Sequence, residues 1–288
     1  MRLLSLGAGV QSTTLALMAC EGRLDRLDGA IFADTGWEPK RVYDHLARLA
    51  TEVLDPAGVP LHVVSAGNLR DDSINPGHRY ASIPYFVRNP DGSEGMGRRQ
   101  CTSEYKLSPI RRKVRELLGA EPPDFKRVQR GRVAEEWVGF SADEIGRVND
   151  HAPQYIRTRH PLIELGMDRR ACERYLADRG WGKVAKSACI GCPYHGNRQW
   201  REIRDHYPAE WADAVAFDEA IRKGGARVLP LNGEAFLHRS RVPLALAPIN
   251  RTTRGERLGW QTTIDDYLET GDPDGCSPYG CRSGSAGA

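Results

Sequence analysis

The stretch Leu3-Leu4-Ser5-Leu6-Gly7-Ala8-Gly9-Val10-Gln11-Ser12-Thr13-Thr14 decides the reading of the fold. Apolar Leu3, Leu4 and Leu6 mark the end of a buried strand. Ser5, Gly7, Ala8, Gly9 and Ser12 are small, and from Thr13 a helix begins that is apolar on more than one face. A strand, a small-residue turn and a helix together make an anion site. Glycines let the backbone approach a phosphate, and the unpaired N–H groups of the first helical turn point at it. The helix dipole adds about half a positive charge there. The plain alternative is a strand-to-helix turn with no ligand.

Outward from this stretch, strand and helix patterns alternate. Asp28 to Ala33 reads as a second apolar strand, ending in Asp34-Thr35-Gly36. Pro39 starts a helix over 40–54, with Val42, Leu46, Leu49 and Val53 at helical spacing. Residues 61–64 read as a third strand. This alternation predicts an α/β fold with a doubly wound, mostly parallel sheet and helices on both faces. Its ligand belongs beyond the carboxyl ends of the strands, where both the Gly7 turn and Asp34-Thr35-Gly36 fall.

Residues 68–99 are polar and rich in Pro and Gly, and read as an insertion or lid. Ser108 is placed as an N-cap and Pro109 as the first residue of a helix to about Leu118. Residues 132–140 and 155–158 read as strands, and Asp168 as the cap of a helix over 169–179. The organisation that follows is a nucleotide-binding domain over 1–195, a helical C-terminal extension over 196–270 and a flexible Gly/Ser-rich, cysteine-containing tail over 271–288.

The chain has 288 residues, enough for one large domain with an appendage. No apolar run is long enough for a membrane span, and the N-terminus enters a strand without a signal-peptide pattern, so a cytoplasmic protein is expected. A net charge of +3 does not by itself imply nucleic acid. The local basic runs at Arg98-Arg99, Arg111-Arg112-Lys113 and from Lys126-Arg127 to Arg132 leave a nucleic-acid contact open beside a solvated surface. A homodimer is compatible with the sequence but not specified by it.

Gly7-Ala8-Gly9-Val10-Gln11-Ser12 is a near match to the dinucleotide-binding pattern G-x-G-x-x-G, with Asp34 as the acid after the next strand and Ser12 in place of the third glycine. The stretch from Ser5 to Ser12 also resembles S-x-[SG]-G-G-x-[DQ]-S, the PP-loop of ATP pyrophosphatases and phosphoadenylylsulfate (PAPS) reductases. The Lys and Asp of the ATP-cleaving branch are Val10 and Gln11 here. Further pieces in order make the chain resemble the PAPS reductase family of the PP-loop superfamily, over roughly residues 2–195. They are Asp34-Thr35-Gly36, Arg99 with Cys101-Thr102, Lys106 to Pro109, Gly139 to Arg147, Pro161-Leu162-Ile163, and the C-x-x-C of Cys189 and Cys192. The resemblance implies that Ser5, Gly7, Ala8, Gly9, Gln11 and Ser12 cradle phosphates of ATP or an adenylylsulfate-type nucleotide. It places Asp34, Thr35 and Gly36 near the nucleotide or Mg²⁺. It makes Lys106 and Arg147 the cations for phosphate or sulfate, with Glu144 orienting Arg147 or a substrate hydroxyl. Structural ion pairs remain open for Asp143 and Glu144.

Seven cysteines in a reducing compartment argue against a disulfide framework. Cys20 and Cys172 fall in helices as core thiols. C-x-x-C brings two sulfurs onto one turn, for zinc, a redox pair or half of an iron–sulfur site. The resemblance adds Cys101 and implies a [4Fe–4S] cluster on Cys101, Cys189 and Cys192. The fourth ligand is Cys276, Cys281 or none from the protein, with structural Zn²⁺ as the alternative. Cys281 also sits where PAPS reductases carry a nucleophilic tail cysteine, although Arg282-Ser283-Gly284 departs from that tail pattern. The leading functional expectation is an iron–sulfur enzyme that adenylylates an acceptor (a nucleobase, nucleic acid or small metabolite) and replaces its oxygen with sulfur from a donor. The rivals are a sulfonucleotide reductase that releases sulfite with a thiol reductant, and a non-catalytic nucleotide- or nucleic-acid-binding module with a structural metal.

Overall fold

The computed structural model describes residues 1–79, 82–148, 152–253 and 256. β1 (Arg2–Ser5) leads into α1 (Val10–Cys20), and β2 (Gly29–Asp34) into α2 (Lys40–Leu49), which continues as a wide helical turn over Ala50–Leu54. β3 (Leu61–Ser65) is followed by α3 (Leu69–Ile74), β4 (Phe86–Arg88), β5 (Glu94–Met96) and α4 (Ser108–Leu117). Then come β6 (Ala134–Val138), β7 (Ile156–Arg159), α5 (Pro161–Glu164), α6 (Arg169–Ala177), α7 (Asn197–His206), α8 (Pro208–Ala220) and β8 (Glu234–Phe236).

The main sheet has the order β3-β2-β1-β6-β7, and every pairing in it is parallel. β1 is bonded on both sides, with Leu4 opposite Ala30 and Trp137. Both its faces are covered, which is why it reads as a continuous apolar run. Successive side chains point to opposite faces. Leu4 joins α1, α2 and α6 in one core, and Leu3 joins Ile31 and Ile110, Val114 and Leu118 of the α4 segment in another. The expected doubly wound α/β sheet is therefore present. α1 is buried from Val10 to Ala19, so it has no polar face to show.

One sequence expectation needs correction, and one stretch holds more structure than its polar composition suggests. Residues 68–99 supply α3, β4 and β5, and β4 pairs antiparallel with β8, Phe86 opposite Phe236. The partner strand lies far downstream, inside the stretch read as helical, so no local pattern could announce the pairing. Tyr85, Val87 and Ile83 are buried with Trp200, Phe217 and Leu237 in a third core beside the main sheet. Ser108 is not an N-cap. The chain enters α4 through a wide helical turn over Thr102–Leu107, with Pro109 in the first turn of α4 itself. Pro109 has no N–H to donate to the preceding turn, and a widened turn accommodates that loss. Asp168 does cap its helix, accepting from Ala171 N at 2.6 Å.

Candidate functional site

β1 turns into α1 through Leu6 to Gly9 at the carboxyl edge of the sheet. Ala8 takes φ +53° and is buried, an arrangement that packs the loop tightly. Gly9 is the extended N-cap of α1, and the Ser12 hydroxyl closes the turn, 3.2 Å from Gly9 N and 3.3 Å from Gly9 O. Ser5 is buried, and its Oγ has no hydrogen-bond partner among the described residues. A buried hydroxyl without a partner is costly, and a ligand can satisfy it.

The chain reverses direction across the sheet at β1: β2 lies on one side and β6 on the other. Gly139, just past β6, faces the first turn of α1. A Cβ there would sit 2.9 Å from Ser12 N and 3.2 Å from Ser12 Cα, so only glycine lets the two loops meet. The same crossing places Glu144 next to the first loop. Gln11 Nε2 donates to Glu144 Oε2 at 3.0 Å, and the Ser141 hydroxyl donates to the same oxygen at 3.1 Å. Arg147 pairs with Glu144 Oε1 and lies over the Phe140 ring, which stacks on His160. Gln11, Ser12, Glu144 and Arg147 are thus brought together, with one buried carboxylate fixing both an amide and a guanidinium.

A second group assembles at the mouth of β2. Asp34 Oδ1 accepts from Gly36 N at 2.8 Å and from Tyr43 OH at 2.7 Å, so this carboxylate shapes its own turn. Burial and the Asp34 carboxylate push the Tyr43 hydroxyl well above its ordinary range. Gly36 has φ +70°, the left-handed region where glycine is unstrained. Thr35 Oγ1 is 3.2 Å from Glu38 Oε1 and 3.3 Å from Cys189 Sγ. Lys106 Nζ lies 3.5 Å from Glu38 Oε1, and both side chains are nearly inaccessible, at 7% and 1%. Ser187 lies 3.7 Å from a Cβ built on Gly9, so the loop leading to the cysteines joins the two groups.

The cysteine loop is clamped onto this mouth by Trp37. Ile190 N donates to Trp37 O at 2.9 Å, and Gly191 packs against the far edge of the indole, where a Cβ would come within 2.1 Å of the ring. The indole is held by α8, through Nε1 to Asp213 Oδ2 at 2.7 Å and by Phe217 at 4.4 Å between ring centres. On the other flank, His195 Nε2 lies 2.9 Å from Cys189 O, and its ring meets Trp200 edge-on. Burial, with Lys186 adding to it, pushes the His195 pKa down to about 4, so the ring is neutral at pH 7.

Cys101, Cys189 and Cys192 are all buried. Cys101 and Cys189 share one apolar core, and Cys192 packs with Ala188 and Tyr194, on which Arg99 stacks at 4.7 Å. The cysteines reach the same end of the sheet, yet among the described residues no three or more His, Cys, Asp or Glu side chains are arranged as a metal-holding set. Cys276 and Cys281 lie outside the described residues. Sequence reasoning passed over Glu38, Trp37, Ser187 and Asp213. The first two carried a faint signal, an acid and an indole directly after Asp34-Thr35-Gly36. Asp213 carried none, because its partner is distant in the chain. Among the described residues, no helix is long and apolar enough to cross a membrane.

No family model matches this sequence, and no curated protein matches it. Among solved structures, the chain is similar to phosphoadenylyl-sulfate (PAPS) reductase from Candida auris in a phosphate complex. The two are 12% identical, the match covers 64% of this chain and 74% of that one, and the TM-score is 0.37.

Proposed function

We propose that this chain is an adenine-nucleotide-dependent enzyme of sulfur chemistry. The loop from Ser5 to Ser12 and the first turn of α1 hold the phosphates, and Lys106 and Arg147 stabilise charge on the transferred group. The observation that carries the reading is the meeting of Gly139 with Ser12 at the point where the strand order reverses. That crevice is the ligand position of open α/β sheets, and here Gln11, Glu144 and Arg147 converge on it. Phosphoryl and adenylyl transfer need mainly positioning and electrostatic stabilisation, which backbone N–H groups and held cations supply.

In the leading form, an acceptor carbonyl-type oxygen attacks the α-phosphorus of ATP and pyrophosphate leaves. A sulfur donor then attacks the activated carbon, and the oxygen departs with AMP. Glu144 holds Arg147 toward the developing charge, and Glu38 holds Lys106. A second form, reduction of adenylylsulfate or PAPS to sulfite, is favoured by Val10, which stands where the ATP-cleaving branch has lysine. Incubation with ATP, Mg²⁺, a sulfide donor and nucleobase or nucleic-acid acceptors is expected to release pyrophosphate and AMP in equal amounts, and without the sulfide donor pyrophosphate alone. Incubation with adenylylsulfate and a dithiol gives sulfite in the second form. Release of none of these products from a folded protein overturns the proposal.

A further inference from the structure

The basic run that begins in α4 and continues beyond it plays no part in that crevice. Residues 111–133 contain eight Arg or Lys and three Asp or Glu, a local charge of +5 (8 − 3), so the rest of the chain sums to −2 (3 − 5). Elsewhere the arginines are mostly matched: Arg70 to Asp213, Arg159 to Asp25 and Glu164, Arg179 to Glu21. In 111–133 the matching fails. Lys113 and Lys126 have acidic partners, Glu116 and Asp124, whereas Arg112, Arg127, Arg130 and Arg132 have no carboxylate within ion-pair distance among the described residues. Arg157, which starts on β7 beside this segment, has none either. All five are exposed.

The segment is anchored. Arg112 lies over the Phe125 ring at 5.2 Å, Arg115 Nε donates to Phe125 O at 2.5 Å, and Arg132 Nη1 donates to Leu118 O at 3.0 Å at the end of α4. Guanidinium groups without a carboxylate partner are therefore presented from a fixed base that runs from α4 to the amino edge of the sheet, where β6 begins. The crevice lies at the other edge, one five-residue strand away, about 17 Å at ~3.3 Å per residue.

We propose that this face, carrying Arg112, Lys126, Arg127, Arg130, Arg132 and Arg157, docks the phosphate backbone of a nucleic acid. Five of the six cations are arginine, whose planar fork matches phosphate oxygens. The only large apolar side chain exposed in residues 111–133 is Val133, too little to enter a lipid surface. The proposal does not rest on the nucleotide reading.

The test is fluorescence anisotropy with labelled single-stranded and duplex DNA of about 20 nucleotides, without adenine nucleotide, across a salt series. Vesicles of phosphatidylserine and phosphatidylcholine form a parallel arm. Four to six phosphate contacts give a slope of log K against log salt of about −3 to −5. Arg127→Glu/Arg130→Glu is expected to make the slope shallower by about two and to weaken low-salt binding at least about tenfold. The pair Arg170→Glu/Arg174→Glu changes net charge equally on α6, on the opposite face of the sheet, and is expected to bind as the parent does. Arg127→Gln/Arg130→Gln repeats the test with neutral side chains should charge reversal disturb the fold. Absence of salt-dependent binding, equal loss from both charge-reversed pairs, or binding to vesicles alone overturns the proposal.

Discussion

Gly191→Ala is expected to dislodge the cysteine loop. The new Cβ would lie 2.1 Å from the far edge of the Trp37 ring, with two more ring carbons at 2.7 and 2.9 Å. Ordinary contact is about 3.5 Å or more between carbons, so ring and loop must separate by more than 1 Å. The ring is held by Asp213 and Phe217, so the loop is what moves. A shift of that size breaks the 2.9 Å bond from Ile190 N to Trp37 O. Overpacking costs about 1–3 kcal/mol and the lost bond about 1 kcal/mol, for a total of about 2–4 kcal/mol. Urea denaturation measures the loss. Cys189 and Cys192, at 5% and 7% accessibility, are expected to react faster with a thiol reagent in the folded variant. Pairing Gly191→Ala with Trp37→Leu removes the obstacle, so the glycine substitution in that background is expected to cost under about 1 kcal/mol, a coupling of at least about 1 kcal/mol. A Gly191→Ala protein with parental stability and parental thiol reactivity refutes the clamp.

Gly139→Ala places a methyl against backbone atoms of Ser12, which cannot rotate away, and is expected to weaken nucleotide binding by about 10- to 100-fold in calorimetric titration, ~1.4–2.8 kcal/mol. Glu38→Ala removes a carboxylate beside the buried Lys106 ammonium and is expected to cost about 3–5 kcal/mol in urea denaturation, with much of it recovered in Glu38→Ala/Lys106→Met. His45 and His238 are held neutral by burial, with pKa values pushed down to about 4. The unfolded chain, with pKa about 6.5, binds more protons between those values, so stability falls as pH drops from about 6.5 to 4. Each histidine contributes at most about 1.4 kcal/mol per pH unit, and His45→Gln is expected to flatten the profile measured by denaturation at several pH values.

The parallel sheet was legible because each of its elements is specified locally. Leu3, Leu4 and Leu6 form a run too apolar for a one-sided strand, and small residues must follow where α1 meets Gly139. The meeting of Gln11 with Glu144 and Arg147 was legible for the same reason: they follow the carboxyl ends of β1 and β6, which are neighbours in the sheet. The second sheet was not, because β4 finds its partner only at Phe236 and its three residues carry no register of their own. Trp37 was missed because its role depends on contacts from far downstream: the close approach of Gly191 and the carboxylate of Asp213. Glu38 was missed because an acid in a polar turn looks solvated until Lys106 and Cys189 are folded over it.

Amide hydrogen exchange over Gly7 to Ser12 and Gly139 to Ser141, with and without ATP or adenylylsulfate, tests the central claim most directly. Nucleotide held by the first turn of α1 is expected to slow exchange in both segments, with the effect lost in Gly139→Ala. Nucleotide that binds the protein but leaves both segments exchanging at the unliganded rate contradicts it.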